Sequence, residues 1–261
     1  MTKALRPALP VLGLLMAGIA WELVARLVVR SQLLFAPLSS TVVALWDLLR
    51  SGTLTPHLVV SAEEFAIGFL ISAVAGVALG AAFAAVPWLG RLLSGVVQAA
   101  YATPLVAVAP LLIVLFGIGI RSKIIIVILL AIFPILISTE SAVRSINPEY
   151  VETAVAFGAS RIQVLRKVIF PASFVGILTG LRLAVGRGII GVLVGEIFGA
   201  THGLGFLIVQ YSESFQTAKT LAVVLVLALI GVLASDGLER LEARLSPWQE
   251  SKRTRHQADV E

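Results

Sequence analysis

Six apolar stretches, residues 9–29, 60–85, 96–117, 124–138, 174–198 and 220–238, approach or exceed the roughly 20 residues that a helix needs to cross a bilayer. Inside lipid, no water is available to satisfy backbone N–H and C=O groups, so runs of this length must be helices that close their own hydrogen bonds. Composition agrees. Of the 261 residues, 58% are hydrophobic and only 13% charged, with a mean hydropathy of +0.99, whereas soluble domains carry about a quarter charged residues. The expected fold class is an all-α membrane protein with six transmembrane helices. The fourth stretch is short, and Pro134 is expected to kink it. The first follows Lys3 and Arg6. It is too long for a signal peptide, carries Glu22 and Arg26 and lacks a clear cleavage site, so a retained helix is expected.

The chemistry the chain can perform is narrowed by what it lacks. There is no cysteine, which excludes disulfides, zinc–thiolate sites and thiol catalysis. His57, His202 and His256 lie far apart in sequence, and no HExxH or Asp-rich motif occurs, so no metal site or cofactor is expected. An intramembrane enzyme would need a nucleophile with its base, clustered carboxylates or a metal pattern, and none stands out. The net charge of +5 follows membrane topology and does not point to a nucleic-acid partner. With the N-terminus inside, twelve of the twenty Lys/Arg fall on the cytoplasmic side and five outside, while Arg26, Arg182 and Arg187 sit in spans. Both termini are therefore expected in the cytoplasm.

Between the first two spans, "SSTVVALWDLLRSG" places Val42, Leu45, Trp46 and Leu49 on one helical face, which predicts a short helix on the outer membrane surface. Thr55 and Pro56 read as the cap and first position of the second span. The chain thus divides into 1–56, a transmembrane helix with the outer amphipathic segment; 57–241, a transmembrane core; and 242–261, a polar cytoplasmic tail expected to be disordered.

Within the core, residues 144–171 form a cytoplasmic connector far longer than a turn requires. Asn147 and Pro148 can start a helix, and Gly158 can end it in a left-handed cap. Ser160 with Gln163 forms a capping box that restarts it. Ile162, Leu165, Val168 and Ile169 then make an apolar stripe, and Pro171 opens the fifth span. Two short amphipathic helices bent at a glycine suggest a docking surface for another protein. A loop resting on lipid headgroups is the plainer alternative.

Glu152-Thr153-Ala154, with Gly158 four residues on and Pro171 thirteen beyond that, resembles the EAA loop of ATP-binding-cassette importer permeases. The family pattern is Glu-Ala-Ala, three residues, Gly, nine residues, Ile-x-Leu-Pro; here Thr153, Val168 and Phe170 are substitutions. The resemblance runs from about residue 56 to 241. "LLIVLFGIG", "GLRLAVGR" and "GEIFGATHGLGFLI" are similar to the branch serving nitrate, sulfonate, taurine and thiamine-precursor solutes. It implies a type I importer permease in the bacterial inner membrane, itself no enzyme, paired as a homodimer. Two copies of a separate ATPase and an extracytoplasmic solute-binding protein would complete the importer. Consistently, "GIGIRSK" lacks the spacing of a phosphate-binding loop. Glu152, Thr153, Ala154, Gly158, Ile162, Leu165 and Pro171 would dock the ATPase, and alternating access would result from its closure. An ion-coupled transporter or a channel is the rival reading. Sulfonate-type members often carry Ser-x-x-Arg before Gly-Phe in the second span. Here Ser61-Ala62-Glu63-Glu64 precedes Gly68-Phe69, and two outward carboxylates weigh against an anionic substrate.

A charge inside a span is costly, about 2.5–3.5 kcal/mol for a central Arg, so it faces protein or a water-filled path. Arg182 and Glu196 fall on nearly one helical face and Arg187 on another. They are expected to line the translocation path or brace the subunit interface, or else to pair between helices without touching the solute. Gly76-x3-Gly80, Gly176-x3-Gly180 and Gly191-x3-Gly195 permit close helix packing. Thr103, Pro104 and Pro110 interrupt the third span, and "THGLGFL" reads as an outer loop or a re-entrant turn. Glu22 and Arg26, one turn apart, are expected to pair.

Overall fold

A computed structural model describes residues 8–245, and every regular element among them is helical. In chain order these are α1 (Ala8–Leu23, continued by a π-helical turn over Val24–Val29), α2 (Leu38–Arg50), α3 (Leu54–Ala85), α4 (Pro87–Ala102), α5 (Leu105–Phe116) and α6 (Ile120–Arg144). Then come α7 (Pro148–Ala156), α8 (Arg161–Val164, continued by a π turn over Leu165–Ile169), α9 (Phe170–Gly199), α10 (Leu204–Glu213) and α11 (Thr217–Leu245). Five helical segments are long and apolar enough to cross a membrane, and α4 with α5 makes a sixth only as a broken pair bent by 92°. The chain is an all-α, multi-pass membrane protein.

Several boundaries depart from those expected of the sequence, each for a physical reason. The fourth span runs over 25 residues rather than the short stretch expected. Lys123, which ends the apolar run in sequence, is buried inside the protein, and Pro134 is accommodated within the helix. The second span begins at Leu54, so Thr55 and Pro56 lie in its first turn instead of capping it. The Gly-Leu-Gly segment after the fifth span is a short helix, α10, with Leu204, Gly205, Leu207 and Tyr211 buried. Residues 242–245, expected in the tail, extend α11. The rest of that tail, with Lys3 and Arg6, lies outside the described residues.

The described chain divides into two compact units, residues 8–61 with 200–229 and residues 62–199 with 230–245. In the first, Glu22 does more than pair with Arg26 (2.6 Å). Its carboxylate accepts hydrogen bonds from the Ser39 backbone N–H (3.1 Å) and Ser39 Oγ (2.8 Å). It therefore caps α2, whose own N-cap, Pro37, has no side-chain acceptor. Trp21 stacks on Phe35 and donates to the Ala36 carbonyl, which fixes the same corner. Thr41, Ala44 and Leu48 of α2 face inward, while Val42, Trp46 and Leu49 are exposed. Most of the predicted amphipathic face thus points away from the interior of this unit, with Leu45 half-buried. His57 and His202, distant in sequence, stack at 5.7 Å, and His57 Nδ1 accepts the Gly203 N–H at 3.0 Å.

In the second unit α6 is clasped between two rows of small residues. From α3, Gly68, Ser72, Gly76 and Gly80 recur every fourth position. A Cβ at Gly68 would meet Val127 at 2.6 Å, one at Gly76 would meet Ile135 at 2.9 Å, and one at Gly80 would meet the Leu136 carbonyl at 2.5 Å. From α9, a Cβ at Gly180 would meet Ser138 at 2.8 Å, and one at Gly191 would meet the Val127 Cα at 2.9 Å. Ser72 Oγ donates to the Gly68 carbonyl at 2.7 Å, so its polar atom is satisfied. Such close approach maximises dispersion contacts where lipid removes the hydrophobic drive for helices to associate. At one end of this clasp Lys123 Nζ donates to Glu64 Oε1 at 2.5 Å, with both residues almost fully buried. At the other, Arg144 pairs with Glu140 (2.8 Å) and donates to the Phe83 carbonyl (3.2 Å).

Three single substitutions and one double variant test this packing in the detergent-solubilised protein. Gly80→Ala, whose Cβ meets backbone, is expected to lower stability by about 1–3 kcal/mol in thermal or denaturant unfolding. Gly95→Ala, which meets nothing within 4 Å, leaves stability unchanged or slightly raised. Lys123→Met strands a buried carboxylate and is expected to cost about 3–5 kcal/mol, most of which the double variant Glu64→Leu/Lys123→Met regains.

Candidate functional site

The connector after α6 is preorganised by its own capping chemistry. Asn147 Oδ1 accepts the Glu149 N–H at 3.1 Å, and Pro148 occupies the first turn of α7. At the other end Gly158 adopts φ +81°, a left-handed conformation that glycine tolerates best. The turn is closed by Gly158 N–H to the Val155 carbonyl (2.8 Å) and Ala159 N–H to the Ala154 carbonyl (3.0 Å). Ser160 and Gln163 complete the capping box in both directions, at 2.7 and 3.4 Å.

The segment beyond this box is not a second short helix. From Arg161 the chain runs helically to Gly199, and Pro171 lies inside this run. The π turn over Leu165–Ile169 ends two positions before it, with the Phe170 N–H reaching back to the Leu165 carbonyl. Widening the helix there makes room for the proline ring, which would otherwise strike the carbonyl four residues earlier. The connector is therefore one short helix, α7, hinged to a long helix that extends α9 beyond the expected span.

Glu152 and Thr153 are exposed on α7, and Ala154 is half-buried. Of the predicted stripe, Ile162 and Leu165 are exposed while Val168 and Ile169 are half-buried. Val164, which the stripe omitted, is buried and anchors the turn. Tyr150, Thr153, Lys167, Val168 and Pro171 line a cleft of about 390 Å³ between α7 and the start of α9. Phe157 is 89% exposed, the most conspicuous apolar group here, and sequence reasoning missed it. A large apolar residue directly before the hinge glycine was the available signal. Together Tyr150, Val155, Phe157, Ile162 and Leu165 present an apolar surface on a rigid, capped frame.

The three predicted intramembrane charges occupy separate environments. Arg182 forms an ion pair with Glu242 of α11, and its Nε is buried without a partner. Glu196 is 1% exposed and lies beside Glu64, the carboxyl that holds Lys123. Arg187 alone is exposed. Its guanidinium lies 5.1 Å over the Tyr101 ring and donates to Tyr101 Oη at 3.4 Å.

The family model described as "Binding-protein-dependent transport system inner membrane component" matches residues 72–247. Over 93% of its length the chain is 32% identical to the formylaminopyrimidine transport permease protein ThiX of Halalkalibacterium halodurans, covering 96% of that protein. It is 34% identical to the taurine transport system permease protein TauC of Escherichia coli, over 76% of this chain and 72% of the relative. A putative aliphatic sulfonates transport permease protein, SsuC of Bacillus subtilis, is 31% identical over 92% of this chain and 88% of its own. In fold, the chain resembles a subunit of the MetNI methionine ABC transporter in an inward-facing conformation. The TM-score is 0.63 at 22% identity, over 74% of this chain and 95% of that one. The all-helical membrane architecture and the match across its core agree: this chain belongs to the binding-protein-dependent transport system inner membrane components, the permeases of ATP-binding-cassette importers.

Proposed function

We propose that this chain is the membrane-spanning subunit of an ATP-driven importer in the bacterial inner membrane, with both termini in the cytoplasm. Two copies form the permease, two copies of a separate ATPase drive it, and an extracytoplasmic binding protein delivers the solute. The solute is a small organic molecule or oxyanion, as the names of the relatives suggest. The observation that carries this reading is the capped block from Asn147 to Pro171. A surface helix has no reason to hold Phe157 and Ile162 in water unless something covers them. The block is short, rigid and continuous with α9, so a displacement imposed on it is passed to a membrane-crossing helix without slack. ATP closes the two ATPase subunits, and the docked block moves with them. Because the permease docks differently in each state, closure shifts the balance between inward- and outward-open forms. Glu152 supplies a polar contact, Ile162, Leu165 and Phe157 the apolar ones, and Gly158 the bend. Hydrolysis belongs to the partner.

Affinity purification of the tagged chain from native membranes tests this. An ATP-binding-cassette subunit is expected to accompany the wild type. Phe157→Asp places a charge in the apolar contact, and Gly158→Val forces a β-branched residue into a left-handed turn. Each is expected to reduce the recovered ATPase at least ten-fold while membrane insertion is unchanged. Recovery of no ATPase with the wild type in several mild detergents would sink the proposal.

A further inference from the structure

Two carboxyls and one ammonium are buried together at one end of the clasp. Glu64 of α3 and Glu196 of α9 are each 1% exposed, and Lys123 of α6 is 6% exposed. Lys123 lies in the first turn of α6 and Glu196 in the last turn of α9. Gly195 makes this placement possible. A Cβ there would meet the Lys123 Cγ at 3.1 Å and its Cα at 3.3 Å, so the lysine lies against the α9 backbone. Its Nζ is committed to Glu64 Oε1 at 2.5 Å, and the Glu196 carboxyl reaches hydrogen-bonding contact with that of Glu64.

That last contact is the informative one. Ionised carboxylates are acceptor-only, and two of them side by side repel. Inside a protein, water does not screen the repulsion. Glu64 Oε2 is also buried without a hydrogen-bond donor. A proton on either carboxyl supplies a donor between them and removes one negative charge, while Lys123 offsets the other. The remaining titratable groups of the surrounding elements are turned elsewhere. Glu63, Arg91 and Arg121 are exposed. His57, two turns earlier on α3, accepts the Gly203 N–H. On α9, Arg182 is engaged by Glu242 and Arg187 by Tyr101 of α4. Helix α5, which packs against α6 and α9, carries no ionisable side chain.

We propose that Glu64 and Glu196 form a proton-binding site, with one proton held between the two carboxyls beside Lys123 while α3, α6 and α9 are packed together. The proton ties α3 to α9, because without it the two carboxylates push these helices apart. The clasp is therefore tighter at low pH and loosens as pH rises. Glu64, expected from the sequence to face outward, is the interior member of its pair, and Glu63 is the exposed one.

Infrared spectroscopy of the purified chain in lipid nanodiscs tests this without any partner protein. A protonated carboxyl has a C=O stretch above the amide band, which ionised carboxylates lack. At about pH 8, where carboxyls in water are ionised, the wild type is expected to show such a band. It is expected to vanish in Glu64→Gln and in Glu196→Gln, each of which keeps an N–H donor in place of the proton, and to persist in Glu63→Gln. If neither buried-site variant folds, the wild type decides alone, and the band must move with isotope-labelled glutamate and not with labelled aspartate. A wild type without the band, a band that both variants leave unchanged, or one that labelled glutamate does not move overturns the proposal. Unfolding also releases the proton, since a glutamate in water does not hold it at neutral pH. Between about pH 6 and 8 the wild-type unfolding constant in denaturant is therefore expected to rise about ten-fold more per pH unit than that of Glu64→Gln. Equal slopes overturn the site as well.

Discussion

The close approach of α3 and α9 to α6 is the constraint on which the rest of the second unit depends. In lipid, apolar side chains gain little by leaving the solvent, so contact area and local polar bonds must hold helices together. The glycine rows on α3 and α9 let backbone meet side chain at distances that no Cβ would permit. With α6 held from both sides, Lys123 and Glu64 meet in the interior, and Arg144 joins the far end of α6 to the end of α3. A charged pair is a poor source of net stability, because its desolvation offsets most of its attraction. Within an already close-packed clasp, it disfavours sliding of α6 by a residue or a turn, since either shift would strand a charge.

The same clasp sets the behaviour of α9. One side of the helix is committed to α6, including Gly180, Gly191 and Gly195. Arg187 and its exposed neighbours are therefore directed elsewhere. At its start, α9 continues without interruption into the capped connector. One helix thus carries an exposed apolar surface at one end and the exposed Arg187 farther along. If a partner docks there as proposed, coupling requires no relay of side chains, because a rigid helix transmits displacement along its own axis.

Much of the connector was legible in sequence because its chemistry is local. Asn147-Pro148, Gly158 and Ser160-x-x-Gln163 act on backbone groups within a few residues, and each cap forms as expected. The continuation of the helix through Pro171 was not legible. Proline ordinarily marks a boundary, and the π turn that accommodates it has no composition of its own. Phe157 was passed over because an apolar residue in an amphipathic block is assumed to face inward. Lys123 misled in the opposite direction, since a charge in sequence ends a span unless a partner is known to neutralise it.

The class of structure is written in the order of residues: six apolar stretches in a chain that must satisfy its backbone in lipid leave helices as the outcome. So are the small-residue rows, because glycine and serine recur there at helical spacing. Which charges are spent on packing, and which are not, emerges only when the helices come together. Arg182, Arg187, Glu196, Glu64 and Lys123 are equally improbable in a membrane when read along the chain. Their difference lies in partners 59 to 86 positions distant, Glu64 for Lys123, Glu242 for Arg182 and Tyr101 for Arg187. Electrostatic interaction depends on separation in space and on burial, and neither can be read from linear order.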